Sequence, residues 1–339
     1  MTAYFRPLVR SEPTRPGDAL PVAGTRRWFS HALRLERGQP QRIVPISQMP
    51  PEARESISAP RAPICGLTLD RPRIMGILTV TPDSFSDGGL RSGAAQAIAF
   101  GRQMAEDGAD LIDVGGESTR PGAETVHHQA EIARIEPVIR ALHHDIDVPI
   151  SIDTRKSAVA EAAVEAGARL VNDVSGFTYD KMLAHYCARE GLPVCVMHAR
   201  GDPETMQDNP RYDDVLLDIY DFLAAQVAML TRAGIRRENI VIDPGIGFGK
   251  TVAHNLALIR DIALFHAIGC PILFGASRKG FIGKLSTAPD ASRRAPGSIA
   301  VALAAVAQGV QVLRVHDVAE TRAALALWQA VETGETDGA

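Results

Sequence analysis

An α/β fold, a closed (β/α)8 barrel with an N-terminal extension, is what this sequence predicts, on three observations. From about residue 73 onward, short apolar runs alternate eight times with longer segments of helical period. The short runs mostly lack strict apolar–polar alternation, as expected of parallel strands covered on both faces. A polar or turn-forming group follows each run, and the carboxyl ends of the strands are where a barrel gathers its functional side chains. A doubly wound open sheet is the runner-up, but it would leave less hydrophobic edge strands and none stands out.

Taken in order, residues 1–62 are rich in arginine and proline and read as an extension packed on the main domain. Residues 28–35 (WFSHALRL) show a short strand-like alternation, while the segment's role is not readable. Pro60 to Pro63 reads as a linker and 64–69 as a short strand. The barrel is assigned to 63–333 and a disordered tail to 334–339. Its strands are expected at 74–79, 109–114, 149–152, 169–172, 193–197, 240–242, 271–274 and 311–315. Helices are expected at 94–107, 126–144, 156–166, 179–190, 213–233, 253–267, 297–308 and 318–331. Gly108-Ala109, Gly167-Ala168 and Gly234-Ile235 are helix-stop signals between them.

Hydrophobic residues make up 45% of the 339, enough for a sizeable core. A net charge of -4 gives no reason to expect nucleic acid. No apolar run approaches the length that spans a bilayer. The cysteines (Cys65, Cys187, Cys195, Cys270) are scattered without a CxxC pair, pointing to a reducing, cytoplasmic compartment.

The groups that follow the strands are of two kinds. Asp113, Asp153, Asn172 and Asp243 offer acceptors, and carboxylates can take paired hydrogen bonds from an amidine-like N–H pair of a nitrogen-rich heterocycle. Arg120, Lys279, Arg314 and His316 are basic; Arg120, Arg314 and His316 suit a multiply charged oxyanion such as diphosphate. Each Asp or Asn has a plainer reading as a helix cap, Asp153 above all. Phosphate-loop readings fail on spacing. Pro244 stands where GxxxxGK[ST] needs glycine, and Lys250 where GxGxxG needs its last glycine. His198 stands alone and reads as a satisfied strand-end histidine rather than a zinc ligand.

The stretches IMGILTVTPDSFSDGG (74–89), DVGGESTRPG (113–122), SIDT (151–154), VND (171–173), VMH (196–198), DPGIGFGK (243–250), SRK (277–279) and RVHD (314–317) resemble, in number and order, the dihydropteroate synthases of the pterin-binding barrel family. The resemblance covers about residue 64 to near the C-terminus and leaves the extension outside. It implies condensation of (7,8-dihydropterin-6-yl)methyl diphosphate with 4-aminobenzoate to 7,8-dihydropteroate and diphosphate, SN1-like, with Mg²⁺. It further implies a cytoplasmic homodimer acting on small molecules, with neither nucleic acid nor membrane as partner. By position, Asp153, Asn172, Asp243 and Lys279 would hold the pterin. Thr119, Arg120, Arg314 and His316 would hold the diphosphate. Phe85, Thr119, Pro121, Gly247, Phe248 and Lys279 would hold aminobenzoate, with Phe85 on a lid after the first strand. Asp113, Asp153, Lys279, Arg314 and His316 form the implied catalytic set. One departure stands out: where the family has Asn in LNVTPDSF this chain has Thr79, at the position implied to bind Mg²⁺. The alternatives are a methyltetrahydrofolate–corrinoid methyltransferase, which would not explain 118–122 or 314–316, and a non-catalytic pterin-binding protein.

Overall fold

The computed structural model describes residues 2–81, 89–118, 123–201 and 205–334, with the backbone alone for 89–92. The N-terminal segment is a small layer of its own. Strands β1 (Tyr4–Pro7), β4 (His31–Leu35) and β5 (Arg42–Pro45) form an antiparallel sheet in the order β1-β4-β5. A short ribbon, β2 (Leu20–Pro21) with β3 (Trp28–Phe29), and helix α1 (Pro51–Ser58) complete it. Phe5, Val22, Phe29, Ala32, Val44 and Ile57 are buried together as its core.

This layer is fastened to the flank of the barrel by polar contacts. The Tyr4 hydroxyl donates to Asp221 at 2.9 Å, and Arg37 binds Asp218 and Asp221 at 2.7 Å each. Arg6 pairs with Asp261 at 3.2 Å. Arg27 pairs with Glu332 and lies 4.7 Å over the Trp328 ring.

The barrel then runs β6 (Arg73–Thr79), α2 (Gly89–Glu106), β7 (Leu111–Gly115), α3 (His128–Asp145), β8 (Ile150–Asp153), α4 (Ser157–Ala166), β9 (Leu170–Asp173) and α5 (Lys181–Glu190). It continues with β10 (Val194–Met197), α6 (Val215–Arg232), β11 (Ile240–Asp243), α7 (Val252–Arg260), β12 (Leu273–Phe274), α8 (Gly280–Leu285), α9 (Ala295–Val306), β13 (Val312–Val315) and α10 (Val318–Thr333). Strands β6 to β11 pair in sequence order and in parallel, and β13 joins β6 to β12. A single parallel bridge, Ile242 to Ile272, closes the ring between β11 and β12. Gly108, Gly167 and Gly234 end their helices with φ of +92°, +123° and +105°, a region closed to most side chains.

Strand periodicity decides what the barrel holds. Side chains at i and i+2 share a face. Leu111, Leu170, Val241 and Val312 point inward as part of an apolar plug, sealed beneath by Ile64 and Leu69. Two residues on, the same strands carry Asp113, Asn172, Asp243 and Arg314. A polar layer therefore lies directly above the plug. The outward residues, such as Ile112, Ile152, Val171 and Ile242, are fully buried against the helices.

Two local expectations need correction. Residues 64–69 are not a strand; Ile64 and Leu67 bridge each other in a turn that caps the plug. The helix expected over 253–267 breaks at Asp261 into α7 and a 3-10 turn, Ile262–Ile268. Gln308 enters the break, its Nε2 donating to the Ile259 carbonyl at 2.8 Å and its Oε1 accepting from the Ala263 N–H at 3.4 Å. A side chain inserted into the i→i−4 ladder is a recognised cause of such an interruption.

Candidate active site

A cavity of about 1100 Å³ opens at the carboxyl end of the strands, and Thr79, Asp113, Asp153, Phe248, Arg314 and His316 are among its walls. At its floor one cation joins two carboxylates. Arg314 Nε donates to Asp113 Oδ2 at 2.6 Å and Arg314 Nη2 to Asp153 Oδ2 at 2.7 Å. Asn172 Nδ2 donates to the same Asp113 oxygen at 3.0 Å. The other oxygens, Asp113 Oδ1 and Asp153 Oδ1, are buried without a hydrogen-bond partner among the described residues. Such groups are costly unless something donates to them.

Burial pushes the Asp153 carboxyl up to about 7, Arg314 opposing and Asp113 adding to the rise. Burial likewise pushes Asp243 up to about 6, against the N–H of Gly245 that donates to it at 2.7 Å. Arg314 is held above its ordinary value; burial works against its charge, and Asp113 and Asp153 outweigh burial.

Asp153 caps nothing: the N-cap of α4 is Lys156, which makes no side-chain cap bond, and the Ser157 N–H goes to Asp180 at 2.8 Å. Asp173 is structural; its carboxylate receives Ser175 and Phe177 N–H groups at 2.7 and 2.8 Å. Asp243 has a turn-forming role through one oxygen, at a glycine whose added Cβ would lie 1.9 Å from the His198 carbonyl.

On one side of the floor stands the turn after β11. Lys279 Nζ lies 3.7 Å from the centre of the Phe248 ring, a cation over an aromatic face. The turn is tied down by Asn255, which accepts the Gly247 N–H at 2.7 Å, and Gln207, which donates to the Gly247 carbonyl at 2.7 Å. His198 is buried and neutral: burial, then Lys250, pushes it down to about 2, and its Nδ1 lies 2.9 Å from Lys250 Nζ. It is a satisfied strand-end histidine.

The loop after β12 is fixed through Arg278. Its backbone has φ +56°, unusual for a side-chain-bearing residue. Ser298 Oγ accepts its N–H at 2.9 Å, Arg294 donates to its carbonyl at 3.0 Å, and its guanidinium binds Asp317. Ser277, the preceding residue, meets His316 Nδ1 at 2.9 Å. Lys279, the following one, meets Phe248.

Behind the cavity is a buried charge network that sequence reasoning missed. Lys156 Nζ donates to Glu117 at 2.9 Å and Glu131 at 2.6 Å, and Arg155 Nε to Glu117 at 3.1 Å. Glu131 is 0% exposed, although it sits in what reads as a polar helix turn. Glu117 also accepts the Val126 N–H at 2.7 Å, so the two stems of the loop after β7 are tied together.

The structure thus brings Asp113, Asp153, Asn172, Asp243, Gly247, Phe248, Lys279, Arg314, His316 and Thr79 to one end of the barrel. Phe85, Thr119, Arg120 and Pro121 lie outside the described residues. Gln207, Asn255 and Ser277 were not singled out as site residues; of these only Ser277, within the SRK stretch, carried a signal.

Residues 75–316 match the family described as pterin binding enzyme. A dihydropteroate synthase of Escherichia coli K12 is 44% identical over 264 residues, 78% of this chain and 93% of that protein. The solved Xanthomonas albilineans dihydropteroate synthase with 4-aminobenzoic acid is 44% identical with a TM-score of 0.76, covering 81% of this chain and 98% of that one. The same organism's enzyme in complex with 7,8-dihydropteroate is 42% identical, with a TM-score of 0.72, covering 79% and 96%.

Proposed function

The chain belongs to the pterin-binding enzymes, as a dihydropteroate synthase, and we propose from that premise how its own residues divide the reaction. The enzyme joins (7,8-dihydropterin-6-yl)methyl diphosphate to 4-aminobenzoate in folate biosynthesis. The acidic floor takes the pterin: Asp153, Asn172 and Asp243 meet the ring's N–H edge, with Lys279 alongside. The observation that carries this reading is the pair of buried oxygens, Asp113 Oδ1 and Asp153 Oδ1, on the cavity floor, which have no partner among the described residues. A ring rich in N–H donors is the ligand such acceptors suit.

Arg314 and His316, at the carboxyl end of β13, take the diphosphate. Thr119 and Arg120 share that assignment, and Phe85, Thr119 and Pro121 share the aminobenzoate pocket with Gly247, Phe248 and Lys279. Mg²⁺ accompanies the diphosphate and supplies positive charge against its oxygens. Among the described residues no three His, Cys, Asp or Glu side chains converge on a metal site. The Thr79 hydroxyl at the cavity wall would be a protein donor to the ion, which would keep several of its waters.

The chemistry follows from charge. The methylene C–O bond breaks and its electron pair leaves with diphosphate, beside Arg314 and His316. The cation left on the methylene is delocalised into the pterin, where the carboxylates of Asp113 and Asp153 stabilise it. The weakly nucleophilic aryl amine then attacks the carbon, its nitrogen lone pair forming the new C–N bond, and the nitrogen gives up one proton to solvent or to the departing diphosphate. Positional isotope exchange in the diphosphate, without aminobenzoate, tests the order of these events. A rate that rose with nucleophile strength would contradict it.

No helix among the described residues is long and apolar enough to cross a membrane. Four free cysteines, three of them buried, are in keeping with a cytoplasmic enzyme, and we assign it there as a homodimer. Sedimentation at micromolar concentration tests the dimer. Release of diphosphate that depends on both aminobenzoate and the pterin diphosphate tests the activity.

A further inference from the structure

Lys250 is a buried cation that the reaction described above does not use. It lies in the turn after β11, and its Nζ meets three acceptors: His198 Nδ1 at 2.9 Å, the Phe248 carbonyl at 2.9 Å and the His198 carbonyl at 3.3 Å. An ammonium has three N–H groups, so all are committed. Nδ1 can accept because the His198 ring is neutral. Among the described residues no carboxylate stands within ion-pair distance of Lys250. A cation buried without a counter-ion is expensive and calls for a purpose beyond filling space.

What the three bonds connect supplies that purpose. His198 follows β10, and Phe248 belongs to the turn that begins at the end of β11. The same turn is held from its other sides by Asn255, by Gln207 and by Tyr212, whose hydroxyl donates to the Gly249 carbonyl at 2.8 Å. Lys250 is the tie on the barrel side. It also lines the cavity.

We propose that Lys250 is a positioning residue for the aminobenzoate half of the site, joining the end of β10 to the Gly247–Phe248 turn so that Phe248 stands against Lys279. The proposal rests on the reading that Gly247, Phe248 and Lys279 hold aminobenzoate. It carries a pH dependence, because a neutral amine has two N–H groups for three acceptors. Burial pushes Lys250 down to about 7, with Asp243 favouring its charge and Lys279 opposing it. His198 faces it directly, and His254 on α7 is near enough to feel its charge. Arg200 acts on the same cluster through His198. The tie therefore loosens as pH rises through neutrality.

The test is steady-state kinetics at saturating Mg²⁺, with each substrate varied in turn while the other saturates, from pH 6.5 to 8.5, on the wild type, Lys250→Met, Lys250→Arg and Phe248→Ala. Lys250→Met is expected to raise the KM for 4-aminobenzoate about tenfold, the equivalent of roughly one to two lost hydrogen bonds. The KM for the pterin diphosphate should stay within about twofold, as it would when uniform binding at a separate subsite is untouched. The wild-type KM for aminobenzoate should rise above pH 7, and Lys250→Arg, permanently charged, should flatten that rise. Equal changes in both KM values, or the same pH profile in the wild type and Lys250→Arg, would overturn the proposal. The arginine arm holds even if Lys250→Met fails to fold. A Phe248→Ala effect on the aminobenzoate KM without a Lys250→Met effect overturns the tie alone. No effect of Phe248→Ala overturns the pocket reading and the tie with it.

Discussion

Arg314 Nη2 donates to Asp153 Oδ2 at 2.7 Å, so the residue assigned to the diphosphate is bonded to a residue assigned to the pterin. The two subsites share one guanidinium. On the assignment proposed above, charge that builds on the leaving diphosphate and charge that builds on the pterin would be felt by the same group. A substitution on either side should disturb binding at both.

Arg314→Met removes the only cation bonded to Asp113 and Asp153 among the described residues. Breaking such a buried pair costs about 3–5 kcal/mol. Urea unfolding measures it. A loss below about 1 kcal/mol would mean that the pair behaves like a surface bridge.

The raised carboxyls fix the sign of a pH effect. Asp153 and Asp243 ionise near 3.8 when unfolded and at about 7 and about 6 when folded. Between those values the folded protein binds more protons. Their stabilising contribution is complete below the unfolded value and is lost as pH rises through the folded one. These two carboxyls should therefore contribute a fall in the melting temperature between about pH 4 and pH 7, against the opposite contribution of His198 and His266, which burial pushes down. Asp153→Asn should make that fall smaller; an unchanged slope would contradict the shift.

Thr79→Asn should tighten apparent Mg²⁺ affinity, because an amide oxygen reaches farther than a hydroxyl and is a better ligand for a hard cation. Activity titrated against Mg²⁺ reads this as a lower half-saturation concentration. No change, or an inactive wild type, would show that position 79 does not serve the metal.

The N-terminal layer can be tested by removing residues 1–59. The Xanthomonas protein is covered over 98% of its length while 81% of this chain is matched, so a related barrel manages without a segment of that size. Truncation should lower the melting temperature, through loss of the Tyr4–Asp221, Arg6–Asp261 and Arg37–Asp218 contacts. Both KM values should stay within about twofold, since none of these residues reaches the site. A selective rise in one KM would give the layer a catalytic role.

The sequence made Asp113, Asn172, Asp243 and Arg314 legible because each lies in the carboxyl-terminal half of a strand or at its middle, two residues beyond an inward apolar one, and strand period fixes the shared face. The Glu131–Lys156 pair was not legible. Its members are 25 residues apart, on α3 and at the start of α4, and only the packing of those elements joins them. The break in α7 was hidden for the same reason, since Gln308 reaches it from 49 residues away. In the extension, the alternation over residues 28–35 announced β3 and β4, but the pairing of Tyr4 with Leu35 depends on tertiary closure. Local pattern carries face and period; partners distant in sequence come from topology.

The most direct measurement is a crystal structure of this protein with 7,8-dihydropteroate bound. The pterin N–H edge is expected within about 3.2 Å of Asp153, Asn172 and Asp243, with the benzoate against Phe248 and Lys279. A product bound the other way round, or with its pterin away from the acidic floor, would contradict the assignment.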